Sequence, residues 1–175
     1  MNLANGDYLE IEAKLLATIN ADTGSGGLME TGDEAVKSVR ADIGDSPENF
    51  AKQELPAINC GVGPKVDEIQ GNDKTTCKIF SVGFIVADRG GDRILAEANV
   101  KKIAARLEDL IREQTRTDKQ WTQLPAVIAD SDGAMTSVVV STDFFTTKTE
   151  KIKGEFVAWA AVEAKFWVPC TYTYE

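Results

Sequence analysis

The residues able to do chemistry are few and poorly assembled. Histidine is absent from the chain, which removes His-based catalytic triads, imidazole metal ligands and the commonest general base. Cys60, Cys77 and Cys170 are widely spaced with no C-x-x-C pair, so they suggest neither a disulfide framework nor a zinc site and read as three reduced, packed thiols. Asp42, Asp45 and Glu48 could pair for acid/base work, but in so acidic a chain they read as solvated loop charges.

Three short motifs come closer to a site and fall short. "DSDG" at 130–133 places Asp130 and Asp132 at the first and third positions of a calcium loop. Ala134 and Ser141 then occupy the fifth and twelfth, where an oxygen ligand and a bidentate Glu are needed, so an Asp/Gly turn is the better reading. "GVGPK" at 61–65 lacks the spacing and following helix of a phosphate loop. "DRGGDR" at 88–93 could hold an anion at a helix start, but Asp88 and Asp92 compete for that place. No catalytic residue, cofactor or metal is assigned.

The elements that would position any site are clearer. Tyr8, Ile11, Leu15 and Ile19 recur at steps of three and four, predicting a helix over 7–20 with Asp7 as N-cap. The glycines of 21–34 end it and form a flexible segment. A short strand is expected at 34–39, a short helix at 46–55 with Ser46 as N-cap and Pro47 at its first position, and a short strand at 55–62 closed by Gly61, Gly63 and Pro64. The stretch 64–74 reads as a loop or hairpin tip.

From 75 to 88 alternation is strong. Phe80, Val82, Phe84 and Val86 share one face, and Ile79, Ser81, Gly83 and Ile85 the other, so this strand is placed centrally. Asp92 caps a long amphipathic helix over 93–114 whose stripe is Ala96, Val100, Ile103, Leu107, Leu110 and Ile111. "QLPAVIADSDGAM" at 123–135 faintly echoes "ELPAINCGV".

The stretch 154–170, "GEFVAWAAVEAKFWVPC", could be drawn as helix or strand, because its alanines favour one and its aromatics and branched residues the other. A seven-residue polar link joins it to the Val/Thr/Phe-rich 136–147, which favours an antiparallel strand pair. Drawn as a strand, it puts Ala158, Ala160 and Ala164 on an apolar face beneath the 93–114 helix. Trp159, Glu163 and Trp167 lie on the opposite, mixed face and are the expected contact residues for a subunit or another protein. Trp121 is assigned to the core or to a subunit contact. Helices and strand pairs come in blocks, so the fold class is α+β: a mainly antiparallel sheet with both helices on one face, in a single domain of 175 residues.

A formal charge of −9 argues against specific nucleic-acid binding, which needs Lys/Arg neutralisation of phosphates. No apolar run is long enough to span a membrane and the N-terminus lacks a signal-peptide pattern, so the chain is read as soluble and cytosolic.

The N-terminal helix, the "ELPAINCGV" strand, the strand "TTCKIFSVGFIVAD", the Ala/Ile/Leu-rich helix and the closing hairpin resemble, as a layout, the tail terminator or tail-completion proteins of long-tailed bacteriophages. The resemblance carries no diagnostic motif and no catalytic residue. It implies a non-enzymatic virion protein, made in the host cytoplasm, that forms a ring, usually a hexamer, on the tail tube, stops its polymerisation and meets the head–tail connector. DNA would pass an acidic lumen without sticking. Partner contacts are expected at 21–50 and 64–74. The glycine-rich insertion and the acidic balance depart from that pattern. Alternatives are another connector or tail-tube component, or a small ligand-binding or carboxylate-based enzymatic domain.

Overall fold

The structure, a computed structural model, describes residues 7–32, 35–41, 50–69, 75–113, 137–148 and 154–171. Its elements are α1 (Asp7–Ala21), β1 (Ser38–Arg40), a single 3-10 turn (Lys52–Glu54), β2 (Ala57–Ile69), β3 (Thr75–Gly90), α2 (Arg93–Glu113), β4 (Ser137–Lys148) and β5 (Phe156–Thr171). The strands form one sheet in the order β1-β2-β3-β5-β4, antiparallel except for the β1–β2 pair. The α+β class therefore holds.

Register decides which side chains share a layer. Cys60 pairs with Phe84, Phe84 with Val162, and Val162 with Thr142, so these lie in one row on one face. Neighbouring rows add Ile58, Phe80, Val82, Val86, Ala160, Ala164 and Phe166, all buried, and both helices pack on this layer. Ile11, Leu15 and Ile19 of α1 and all six expected stripe residues of α2 are buried there. Ala104, at 0% exposure, joins the stripe. Complete burial of a side chain such as Leu107 contributes roughly 1.5–3 kcal/mol.

The 154–170 stretch is strand from Phe156 onward, after a turn at Gly154. Ala158, Ala160 and Ala164 are no more than 1% exposed and share the core with α2 residues. Small side chains there leave room for the helix backbone to approach the sheet.

Three local expectations change. First, β2 does not stop at the glycines. It passes Gly61, Gly63 and Pro64 to Ile69, so 64–69 is strand and only 70–74, outside the described residues, is left for the tip. A register shift between Val62 and Lys65 absorbs the proline, whose missing N–H costs little because, among the described residues, β1 pairs only with Ala57–Asn59 and no strand lies outside this part of β2. Gly63 eases the close approach at the shift, since a Cβ there would come to 3.2 Å from the Ser81 carbonyl oxygen, a tight contact.

Second, the described part of the helix expected at 46–55 is only the turn Lys52–Glu54. Glu54 accepts the Ala51 N–H at 2.8 Å, and Leu55 is already extended, as a residue preceding proline prefers to be. Third, the strand expected at 34–39 is shifted to Ser38–Arg40, where the Lys37 N–H donates to the Pro56 carbonyl. Residues 42–49, 114 and 123–135 lie outside the described residues.

The glycine-bearing loop 22–32 is tied to α2. Arg106 donates to both carboxylate oxygens of Asp22, at 3.0 and 2.6 Å, and Asp22 also accepts the Leu28 N–H at 2.7 Å. Leu28 is buried as a result. Gly26 adopts φ +77°, and a Cβ on Gly27 would collide with the Asp22 carbonyl oxygen.

Candidate functional site

The motifs that could carry chemistry are either used structurally or fall outside the described residues. Asp92 accepts the N–H groups of Ile94 and Leu95 at 2.8 and 3.2 Å, so the start of α2 is capped by the chain itself. Asp88 accepts the Asn99 side-chain amide and the Arg89 N–H, each at 2.8 Å. The "DRGGDR" carboxylates thus occupy the place an anion would need. Burial foremost, and then the nearby charge of Glu12, push the Cys60 thiol up to about 12 and keep it protonated. Among the described residues no group of three or more Cys, Asp or Glu could hold a metal ion. Asp42, Asp45, Glu48, Trp121 and the 130–133 turn lie outside those residues.

The accessible surfaces of the sheet are more distinctive. Both helices cover one face, and alternation places Trp159, Glu163 and Trp167 on the other. Trp159 pairs across β5 with Ala87 and Phe145, Glu163 with Gly83 and Ser141, and Trp167 with Ile79 and Ser137. At about 3.3 Å per residue the two tryptophans stand roughly 26 Å apart. Both are partly buried.

Trp159 is half-buried. Its ring stacks on Phe145, with centroids 4.1 Å apart, and it packs on a small cluster of Phe50, Leu55, Ala57 and Ala87. The segment around Phe50–Leu55 therefore caps that end of the face. Arg40 lies over the Phe50 ring at 4.5 Å and reaches Glu54 at 3.1 Å, while the buried Arg89 pairs with Glu155 at 3.2 Å.

Further along, Ser141, Asp143, Glu163 and Lys165 are exposed. Gly83, Ala161 and Ser141 leave a hollow of about 210 Å³ rimmed by Asp143 and Glu163. Glu163 lies 3.5 Å from Lys165 with both side chains about half exposed, a pairing worth little in water. Ile79 and Trp167 remain partly accessible beyond it, and Val139 is 56% exposed.

A second exposed apolar feature was not singled out by sequence reasoning. β4 ends the sheet, and besides Val139 it exposes Phe144 and Phe145 at 48% and 43%. Its helix-side positions are fastened to α2: Thr142 donates to Glu108, Thr146 donates to Glu97 at 2.8 Å, and Lys101 sits 6.0 Å over the Phe144 ring. The hydrogen bond from Arg93, joined by that of Thr146, holds the Glu97 carboxyl below its usual range. The signal available in the sequence was "VVVSTDFF", whose apolar residues exceed what one buried face requires.

No family model matches this chain, and no curated protein matches it. A solved structure of the virion of a native gene transfer agent (GTA) particle contains a chain that is 13% identical, with 92% of each chain covered and a TM-score of 0.38. An overlap that low assigns no function to this chain.

Proposed function

We propose that this chain is a structural virion protein, not an enzyme, which caps the tail tube as a homo-oligomeric ring, ends tail polymerisation and forms the head–tail joining surface. The observation that carries the reading is the row of exposed side chains beyond the Phe50–Leu55 cap, Val139, Ser141, Glu163 and Lys165, beside the partly accessible Trp167 on a strand of 16 residues. A sheet with helices packed on one face and, among the described residues, exposed side chains on the other suits contact with another protein surface. The layout of helices and closing strand pair resembles that expected of tail terminator proteins, which supports the reading. Its partners would be further copies of itself, the tail-tube protein and the head–tail connector. The net charge of −9 suits a ring through which DNA passes without binding.

The test is electron microscopy and native mass spectrometry of the full chain, alone and mixed with tail tubes from the same phage. Rings of uniform subunit number seated on tube ends are expected, and Trp167→Ala with Glu163→Lys should abolish seating while leaving the circular dichroism spectrum unchanged. A chain that neither forms rings nor binds tube ends at any concentration would overturn the proposal.

A further inference from the structure

The two edges of the sheet are built differently. On the β1 side the outermost strand has three residues, and the part of β2 beyond it carries Pro64 and the register shift between Val62 and Lys65. Short strands, proline and bulges are the means by which native sheets blunt an edge. β4 has none of these. It runs 12 residues in unbroken register with β5, and 137–147 contain no Pro, Lys or Arg. Among the described residues no strand covers its outer side, so alternate N–H and C=O groups there await a partner.

We infer that β4 pairs antiparallel with β4 of a second copy of this chain, about a two-fold axis at Thr142. Keeping both helix layers on one side of the joined sheet requires residues of the same face to oppose each other, which puts the axis on a residue and not between two. Centring on Thr142 uses the whole run from 137 to 147. It sets Val139 opposite the partner's Phe145, Val140 opposite the partner's Phe144, and Ser141 opposite the partner's Asp143. Each exposed large apolar side chain thus meets an apolar one, and no like charges oppose directly. Centring on Asp143 would oppose two carboxylates, and centring on Ser141 would set Val139 against a carboxylate. The occupant is a second copy because β4 supplies an unblunted strand complementary to itself. Such a contact joins copies two by two, so it is distinct from the head-to-tail contact that closes a ring and does not depend on the tail reading.

Hydrogen exchange of the full chain is measured over a concentration series, with two cysteine variants on the open face as a register test. β4 amides are expected to gain protection as concentration rises, in step with dimer mass by sedimentation. The double variant Val139→Lys/Phe145→Lys should weaken dimerisation at least about tenfold while remaining folded by circular dichroism. Under mild oxidation a mixture of Ser141→Cys and Asp143→Cys chains should cross-link about tenfold faster than either alone, since only the mixed pair stands directly opposed. Protection independent of concentration would mean that the chain's own 114–136 segment covers β4, and would overturn the inference. Absence of protection at every concentration, or equal cross-linking of all three samples, would overturn it too.

Discussion

Replacing Ala160 with tryptophan tests the central packing. Ala160 is 0% exposed, lies between Val86 on β3 and Phe144 on β4, and shares the core with the α2 stripe. Overpacking a filled core costs about 1–3 kcal/mol, and more when the added group is large. An indole in place of a methyl, with α2 directly above, is therefore expected to cost about 3 kcal/mol or more of a total of roughly 5–15 kcal/mol. With a urea dependence of about 2 kcal/mol/M, the midpoint should fall by about 1.5 M. The matched control is Ala161→Trp, one residue along, which points to the opposite face beside Gly83 and Ser141. That variant should shift the midpoint by less than about 0.5 M. The assay is urea unfolding followed by far-ultraviolet circular dichroism, because the added indole alters fluorescence. A wild-type midpoint for Ala160→Trp, or an equal loss in both variants, would refute the assignment of the two faces.

Two further outcomes follow from Asp22 and Cys60. Burial raises the Asp22 carboxyl, but the hydrogen bonds from Arg106 and the Leu28 N–H, with the charge of Arg106, outweigh it and hold its pKa below 3.8. A depressed folded-state value means the unfolded chain binds more protons, so this contribution is complete above the ordinary carboxylate pKa and is lost as pH falls through the folded value. Arg106→Gln should cost about 1.5–3 kcal/mol near neutrality, and its deficit against wild type should shrink below about pH 4. Parallel pH profiles of the melting temperatures down to about pH 2.5 would contradict this. Cys60, protonated and 0% exposed, should resist alkylation at pH 8 until the chain unfolds; peptide mapping that finds it labelled in the folded protein would show the β2 core to be open.

Much of this architecture is written locally. The spacing of Ile11, Leu15 and Ile19, the six-residue stripe of α2 and the alternation of Phe80, Val82, Phe84 and Val86 each lie within one element, and a period of 3.6 or 2 can be read without knowing what packs on it. The choice of strand for 156–171 needed only the neighbouring hairpin link and an all-apolar alternate face. The absence of histidine likewise removed whole classes of chemistry before any coordinate was known.

What the tertiary structure decided concerns partners distant in sequence. Pro64 and the glycines read as strand breakers because local propensity cannot tell that, among the described residues, no strand lies outside β2 at that point, where a missing N–H goes unneeded. Asp22 and Arg106 stand 84 residues apart, and no local pattern announces their pairing. Trp159 and Trp167 are equivalent by alternation, yet Phe145 stacks on the first and the Phe50–Leu55 cluster packs against it, partners that no local pattern announces. Phe144 and Phe145 read as ordinary strand residues until strand order set β4 at the sheet's edge. Periodicity is a property of one segment, whereas exposure depends on which segments lie beside it, and only the assembled sheet fixes that.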